Sequence, residues 1–326
     1  MLITRTPFRI SFFGGGTDYY DYYSKYGGKV LSTAIDKYCY LSMRSLPPYF
    51  DYKSQLTYSR IERFNTPDEV RHPLVRNALK LIPTDRIQIA YDADMPASSG
   101  IGSSSAFAVG LVQGLHAMRN LYPDTMTLAK EAIYIERELC QEVGGVQDQL
   151  AAAFGGFNRM EFTAQGFSIV PLEVDPARLQ ALQKNLLLLF TGFTHFSGEV
   201  AAEQKKNIPS TLSQLDEMKS MVDTAEDILR SGDLDDFGAL LHRTWELKRT
   251  LSNRITSYDI DLLYSRLRDA GALGGKLLGA GSGGFMLLYV PEDRQERLKE
   301  RFSDYRFVPF CFENTGTRII YQNNNN

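Results

Sequence analysis

The chain of 326 residues has few of the side chains that build disulfide or zinc frameworks. Its three cysteines, Cys39, Cys140 and Cys311, lie far apart in sequence and form no CxxC pair, which argues against both kinds of framework. None of the four histidines belongs to an HExxH sequence, so a zinc-protease helix is excluded. These absences predict a protein of a reducing compartment, most simply the cytoplasm.

Long apolar runs and an excess of basic charge are also missing. No run approaches the roughly 20 apolar residues of a membrane-spanning helix, and the first residues lack the apolar core of a secretory signal. Lysine and arginine number 36 against 39 aspartates and glutamates, which gives a formal net charge of −3. This balance predicts that neither a membrane nor a nucleic acid is a partner.

What remains is an ordinary globular composition, with 43% hydrophobic and 23% charged residues. Apolar periodicity predicts strands, then helices, in the first half, and strands flanking helices in the second, an order that is compatible with an α+β fold but does not fix its topology. The main predicted elements of the first half are strands at 6–13, 29–46 and 87–91 and helices at 106–115 and 127–143. We expect domains over residues 1–178 and 179–322, and a disordered asparagine-rich tail over 323–326.

The strongest local motif is a run of small residues before an apolar helix. It consists of Pro96, Ala97, Ser98, Ser99, Gly100, Ile101, Gly102, Ser103, Ser104 and Ser105. Glycines let the backbone curl closely around a ligand, and the start of a helix offers unpaired N–H groups and a positive dipole end. The run therefore predicts a phosphate-binding loop, with a serine-capped helix after a flexible loop as the simpler alternative. It is not a Walker A loop, because no lysine follows Gly102.

Three further motifs have simple explanations when each is taken alone. The glycine run 279–284 is typical of a tight turn before a strand, and Asp18, after three glycines, suits a helix N-cap. Arg9 lies in an apolar strand, where it either reaches the surface or pairs with a buried carboxylate. Glu136 suits a solvent-facing position on a helix, and Asp148 suits the first turn of the next helix, where the helix dipole stabilises a negative charge.

Together and in this order, the four motifs resemble those of the GHMP kinase superfamily, which includes galactokinase and mevalonate kinase. Residues 96–106 resemble its Pro-x-x-x-Gly-Leu-Gly-Ser-Ser-Ala loop, and 279–284 resemble its Gly-Ala-Gly-x-Gly-Gly motif. Residues 145–149 are similar to its sugar-kinase Gly-Ile-Met-Asp-Gln segment. The resemblance covers nearly the whole chain. It implies an N-terminal domain like ribosomal protein S5 domain 2, a ferredoxin-like C-terminal domain and an active site between them.

Within the superfamily, the chain is most similar to bacterial heptose 7-phosphate kinases, and it also resembles the kinase portion of fucokinase-like enzymes. The sequences that carry this similarity are Phe-Gly-Gly-Gly-Thr-Asp at 13–18 and Gly-Gly-Val-Gln-Asp-Gln at 144–149. The first motif departs from galactokinase, because Ser11 replaces an asparagine and Gly15 and Gly16 replace a Glu-His pair. This departure argues against galactose as the substrate.

The resemblance implies ATP-dependent phosphorylation of the anomeric hydroxyl of D-glycero-D-manno-heptose 7-phosphate, for the synthesis of nucleotide-activated heptose. The resemblance implies that Asp148 accepts or orients the proton of the hydroxyl, and that Arg9 keeps Asp148 ionised. Residues 98–105 hold the ATP phosphates, and Ser104 and Glu136 hold Mg²⁺. The implied sugar contacts are Gly15, Gly16, Thr17, Asp18, Gly279, Ala280 and Gly281.

Two alternatives stay open. One is another sugar-1-kinase of the family, for fucose, galactose or an N-acetylhexosamine. The other is a non-catalytic regulator that binds nucleotide or sugar, although such a protein has no need of all four catalytic-type side chains. The substrate's own phosphate needs basic side chains to bind it. The candidates are chosen only because they lie in the first half of the chain: Arg44, Lys53, Arg60, Arg71 and Arg76.

Overall fold

The computed structural model describes residues 1–193 and 197–323, and these residues form two β-sheets with helices packed on them. The strands are β1 (Leu2–Phe13), β2 (Gly28–Ser45), β3 (Ser54–Thr57), β4 (Ile61–Phe64), β5 (Ile87–Ala93), β6 (Phe157–Thr163), β7 (Gly166–Pro171), β8 (Leu186–Phe190), β9 (Gly274–Leu277), β10 (Phe285–Tyr289), β11 (Arg306–Val308), β12 (Phe312–Glu313) and β13 (Arg318–Gln322). The helices are α1 (Tyr20–Tyr26), α2 (Pro73–Leu81), α3 (Ser103–Met118), α4 (Thr125–Ile133), α5 (Gln147–Phe154), α6 (Pro176–Lys184), α7 (Ser197–Asn207), α8 (Leu212–Ser231), α9 (Leu234–Thr250), α10 (Tyr258–Asp269) and α11 (Glu292–Arg301). Short 3₁₀ turns occupy Pro67–Glu69 and Ile208–Ser210, and a π-helical segment occupies Tyr134–Leu139.

The first sheet is organised around β2, the longest strand. One edge of β2 pairs antiparallel with β1, and its other edge pairs with β6 near its start and β5 near its end. The pairing with β1 shifts register between Pro7 and Phe8, at a proline that has no N–H to donate to a ladder. The buried helix α3 packs on β1 and β2. This arrangement brings the start of α3 beside the middle of β1.

The second sheet has the order β11-β8-β10-β9 and is antiparallel throughout. Helix α9 packs on β9 and also reaches the first sheet. There, the ring of Phe237 makes edge contacts with Phe12 and Phe13, with centroids 5.4 and 5.0 Å apart. The α+β class predicted from the sequence is confirmed. No helix in the described part of the chain is both long and apolar enough to cross a lipid bilayer.

The end of the chain returns to the first sheet. Strand β12 pairs with β2, and β13 pairs with β1 on its free edge. The predicted division into residues 1–178 and 179–322 therefore does not separate the two sheets, because 312–322 complete the first one; the domain boundaries stay a prediction. In the predicted tail, the Asn323 N–H donates to the carbonyl of Met1 (2.9 Å), and residues 324–326 lie outside the described residues.

The predicted helix over residues 127–143 is wrong in its second half. Helix α4 ends at Ile133, and the following turn is π-helical, with the Cys140 N–H donating to the carbonyl of Ile135. Gln141 then takes a positive φ of 55°, which ends the helix. An apolar pattern of helical period does not distinguish a π turn from an α turn, so the sequence pattern extended the helix through it.

Candidate functional site

The predicted phosphate-binding loop leads directly into α3. Gly102 occupies the N-cap with a φ of 77° and no side chain caps the helix, so serine capping does not start it. The first-turn N–H groups of residues 103–105 have no acceptor within the helix. These residues line an open cleft. The loop therefore presents to the cleft the kind of groups that bind phosphate oxygens at helix N-termini.

Part of the loop anchors it instead of facing the cleft. Ser99 and Ile101 are buried, and their carbonyls accept hydrogen bonds from the N–H groups of Phe285 (3.1 Å) and Arg9 (3.0 Å). Residues 96–97 are exposed outside the cleft. These bonds fix the loop to β10 and to β1. The predicted loop residues that line the cleft are Ser98, Gly100, Gly102, Ser103, Ser104 and Ser105.

Arg9 and Asp148 form a bidentate ion pair in the cleft. Arg9 Nε lies 2.7 Å from Asp148 Oδ1, and Arg9 Nη2 lies 2.8 Å from Oδ2. The third guanidinium nitrogen, Nη1, donates to the carbonyl of Gly100 (2.6 Å). Arg9 is 4% exposed, so it pairs with a carboxylate and does not reach the surface. One arginine on β1 thus joins the phosphate-binding loop to an aspartate in the first turn of α5.

Glu136 is buried. The simpler explanation of this residue, a solvent-facing position on a helix, is therefore wrong. Glu136 lies in the π-helical segment. Its carboxylate accepts hydrogen bonds from Ser104 Oγ (2.7 Å), Ser105 Oγ (2.9 Å) and Gln149 Nε2 (2.5 Å). All three donors are neutral. The carboxylate therefore lies at the start of α3, next to the loop that lines the cleft.

Asp18 is buried at another wall of the cleft. Its carboxylate accepts hydrogen bonds from the N–H groups of Gly16 (3.0 Å) and Gln147 (3.2 Å), so it does not cap α1, which begins two residues later. Burial raises the pKa of Asp18, and the negative charge of Asp148 raises it further. Gly145 leaves the space that the carboxylate occupies, because a Cβ at that position would overlap it.

The remaining predicted sugar contacts divide into two groups. Thr17 is fully buried and faces the protein interior, where its hydroxyl oxygen lies 2.8 Å from the carbonyl oxygen of Gly14 and 3.0 Å from that of Lys29. Gly281 packs against the backbone of Ile255 and does not line the cleft. The predicted sugar contacts that do line the cleft are Gly15, Gly16, Asp18, Gly279 and Ala280.

The second glycine run packs against the phosphate-binding loop, backbone to backbone. A Cβ added at Gly279 would lie 2.5 Å from Gly100 Cα, and one added at Gly100 would lie 2.5 Å from the oxygen of Leu278. Lys248 from α9 holds this run, because its Nζ donates to the carbonyls of Leu277 (2.9 Å) and Gly279 (2.5 Å). The run therefore forms a second wall of the cleft, as the paired motifs predict.

The cleft has a volume of about 530 Å³ and is lined by both halves of the chain, a size ordinary for a small-molecule site. Two lysines in it, Lys248 and Lys276, are not among the predicted site residues: Lys248 lies outside every motif, and Lys276 begins the stretch that contains the second glycine run but has no role assigned from the sequence. Both are buried, and burial lowers the pKa of each. The one signal in the sequence is that Lys276 interrupts a stretch of small and apolar residues, Gly274–Leu277. None of the five cations proposed by position lines the cleft.

Ser104 and Glu136 have the oxygen donors that Mg²⁺ prefers. Within residues 1–193 and 197–323, Glu136 has no cationic side chain within 4.0 Å, so an added cation would balance its buried charge. No group of three or more His, Cys, Asp or Glu side chains suited to a metal occurs in the described ranges. Magnesium binds through one or two protein oxygens and keeps waters and phosphate oxygens as its other ligands. The residues present therefore fit Mg²⁺ bound together with a nucleotide.

Family models match two segments of the chain. The model for the GHMP kinases N-terminal domain matches residues 72–156, and the model for the GHMP kinases C-terminal domain matches residues 224–306. The first segment contains the phosphate-binding loop, Glu136 and Asp148. The second contains Lys248, Lys276 and the second glycine run.

Full-length relatives agree with these matches. The chain is 30% identical over 332 aligned residues to the D-glycero-alpha-D-manno-heptose 7-phosphate kinase of Campylobacter jejuni, with 97% of each protein covered. It is 22% identical to the galactokinase of Thermotoga neapolitana, with 92% of each covered. The crystal structure of a D-glycero-D-manno-heptose 1-phosphate kinase from Bacteroides thetaiotaomicron has the same fold, with a TM-score of 0.80, 23% identity and coverage of 99% of this chain and 100% of that one.

Proposed function

The chain belongs to the GHMP kinase family and is a kinase that acts on a sugar; from this premise we propose that its acceptor is the anomeric hydroxyl of D-glycero-D-manno-heptose 7-phosphate. ATP is the phosphoryl donor, and the product is the 1,7-bisphosphate. The observation that carries the transfer chemistry is the Arg9 guanidinium, which joins Asp148 to the carbonyl of Gly100 in the phosphate-binding loop. The identity to a kinase named for this heptose supports the choice of acceptor.

In this proposal, Asp148 accepts the proton of the attacking hydroxyl. The two hydrogen bonds from Arg9 hold the carboxylate in one orientation and balance its charge. An anomeric hydroxyl is more acidic than an ordinary alcohol, so a carboxylate is a suitable base. Arg9 also offsets negative charge on the group in transfer, since phosphoryl transfer depends mostly on positioning and charge neutralisation.

The donor binds along the start of α3. The N–H groups of residues 103–105 hold the β- and γ-phosphates, and Ser104 and Glu136 hold Mg²⁺. When bound, the metal ion offsets the charge that develops on the phosphate oxygens. Glycines at 279 and 100 keep the two walls close together, which leaves the cleft narrow at the phosphates.

The acceptor binds on the opposite side, at Asp18, Gly15 and Gly16. The Asp18 carboxylate accepts hydrogen bonds from sugar hydroxyls, and the two glycines leave room for a ring to approach. Gly279 and Ala280 close this side from the second half of the chain. A side chain at position 15, where galactokinase has glutamate, would start next to Ser11 and Gln147, which also line the cleft.

We expect Ser104→Ala and Glu136→Gln to raise the Mg²⁺ concentration for half-maximal rate by about tenfold or more, because outer-shell substitutions alone cost that much at metal sites. The measurement is initial rate against Mg²⁺ at saturating substrates. Glu226→Gln is the matched control, since Glu226 is also buried but pairs with Arg159 and Arg230 away from the cleft. An unchanged Mg²⁺ requirement in both cleft variants would remove the two residues from the metal site.

The acceptor is tested by phosphorus NMR after incubation with ATP, Mg²⁺ and a panel of sugars. We expect D-glycero-D-manno-heptose 7-phosphate to give a second, anomeric phosphate resonance. The panel also contains the heptose 1-phosphate, free heptose, fucose, galactose and N-acetylhexosamines. Turnover of a free sugar without any 1,7-bisphosphate would replace the heptose 7-phosphate proposal by another sugar-1-kinase, and tight nucleotide binding without any turnover would support a regulator.

A further inference from the structure

Lys276 is a buried cation at the floor of the cleft that the reaction described above does not use. It lies in β9, and its side chain is 3% exposed. Its Nζ donates to the carbonyl of Phe12 in β1 (2.8 Å), which is its one hydrogen bond to the described residues. An ammonium group has three N–H donors. Two of them therefore remain for a ligand in the cleft that this side chain lines.

The ammonium of Lys276 also has no ion-pair partner among the described residues. No carboxylate of the described ranges lies within 4.0 Å of its Nζ, and a buried ammonium without a partner is costly. Burial and, after it, the charge of Arg9 lower the pKa of Lys276, the charge of Asp18 opposes them, and the pKa that results is about 7. Lys248 on α9 adds a second ammonium nearby. With Arg9 paired to Asp148, neither Lys276 nor Lys248 has a carboxylate of the described ranges within 4.0 Å, so an anion bound beside them would be stabilised.

Lys248 shows what a purely structural lysine looks like in the same cleft. Two of its three donors are taken by the carbonyls of Leu277 and Gly279, and both bonds hold the second glycine run in place. Lys276 holds no loop: its single bond goes to the carbonyl of Phe12, which lies in strand β1 at the register shift between Ser11 and Phe13. The difference in bonding separates a loop-positioning lysine from one that is available to substrate.

We propose that Lys276 contacts substrate directly, and that its ammonium binds a phosphate oxygen of the reactants at the floor of the cleft beside Arg9. The inference rests on the proposed function, since it assumes that the cleft binds ATP and a sugar. The reactants supply such an oxygen from two sources. One is the phosphoryl group in transfer from ATP, and the other is the phosphate that the acceptor sugar already has.

The test compares Lys276→Met, Lys276→Arg and a matched control, Lys219→Met. Lys219 also donates from its ammonium to backbone carbonyls, of Tyr26 (2.9 Å) and Gly27 (3.4 Å), but outside the cleft. We expect Lys276→Met to lose about tenfold or more in kcat/KM, the effect of removing a hydrogen bond to a charged group. Lys276→Arg recovers part of the loss because guanidinium also binds phosphate oxygens, and Lys219→Met stays at the wild-type rate.

The two sources are separated by the kinetic constant that changes. A lower kcat with both heptose 7-phosphate and free heptose indicates the phosphoryl group in transfer. A higher KM for heptose 7-phosphate alone, with kcat and the KM for ATP kept, indicates the acceptor's own phosphate. If the wild-type protein does not phosphorylate heptose 7-phosphate, that result contradicts the proposed acceptor but not the role of Lys276. The Lys276 variants are then compared with the acceptor that the sugar panel identifies.

The inference would be overturned if the Lys276→Met variant kept kcat and both KM values within twofold of those of the wild-type protein. Should this variant not fold, the pH profile of Lys276→Arg decides. The free ammonium loses its charge as the pH rises through about 7, whereas a guanidinium stays charged. The alkaline fall of kcat/KM should therefore move to higher pH in Lys276→Arg, with Arg9, Asp18, Asp148 and Lys248 unchanged around it. An alkaline fall at the same pH in both proteins would contradict the contact.

Discussion

Asp148→Asn should lower kcat by about 10²–10⁴-fold, the usual contribution of a positioned general base. The amide keeps the shape of the carboxylate but does not accept a proton, and it leaves the Arg9 guanidinium without a charge partner. The measurement is steady-state phosphorylation of the acceptor that phosphorus NMR identifies. Binding of AMP-PNP in the presence of Mg²⁺ should persist, because the nucleotide is held by the loop and the start of α3.

A matched control separates catalysis from the general effect of breaking an ion pair. Asp223→Asn removes the surface pair in which Lys29 Nζ lies 2.6 Å from Asp223 Oδ1; neither residue lines the cleft. Exposed pairs contribute little to stability, so this variant should keep the wild-type kcat. An unchanged kcat in Asp148→Asn would remove the aspartate from the reaction.

Gly100→Ala should lower kcat/KM by about 10²-fold or more, because displacements of about 1 Å at a reacting centre have effects of this size. The φ of Gly100 is +82°, and its new Cβ would lie 2.5 Å from the Leu278 oxygen. The second wall does not easily retreat, since Lys248 holds the carbonyls on both sides of that residue. The loop must move instead, and with it the carbonyl that binds Arg9. Nucleotide affinity and kcat are both measured.

Gly166→Ala is the control for backbone strain alone. Gly166 also has a positive φ, of 148°, but nothing lies within 4 Å of an added Cβ in this hairpin turn. It should cost on the order of 1 kcal/mol in stability and leave the kinetic constants unchanged. Equal kinetic losses in both glycine variants would show that close packing of the two walls does not matter for activity.

The motifs predicted the composition of the site better than its contacts. Arg9 and Asp148 were assigned as partners through the family resemblance, since nothing in the local sequence relates side chains 139 positions apart. Taken alone, Arg9, Glu136 and Asp18 each had a simpler explanation, and the structure gives each of them a buried position with specific hydrogen bonds instead. Burial depends on what packs across the chain, which local periodicity does not report.

Other features had no local signal. The π turn at Tyr134–Leu139 places Glu136 against α3, but its apolar pattern reads as an ordinary helix. The short helix α1 is rich in tyrosine, which has only moderate helix propensity. The return of β12 and β13 to the first sheet depends on the free edges of β1 and β2. Lys276 acquires its significance only from the strand that packs opposite to it.

The central claim is that the phosphate-binding loop before α3 and Asp148 hold the two reactants of one phosphoryl transfer. The most direct test is a crystal structure with AMP-PNP, Mg²⁺ and heptose 7-phosphate. The account predicts the γ-phosphate within hydrogen-bonding distance of the N–H groups of residues 103–105 and the anomeric hydroxyl next to the Asp148 carboxylate. Density for the nucleotide away from the loop, or for a sugar ring that does not approach Asp148, would contradict it.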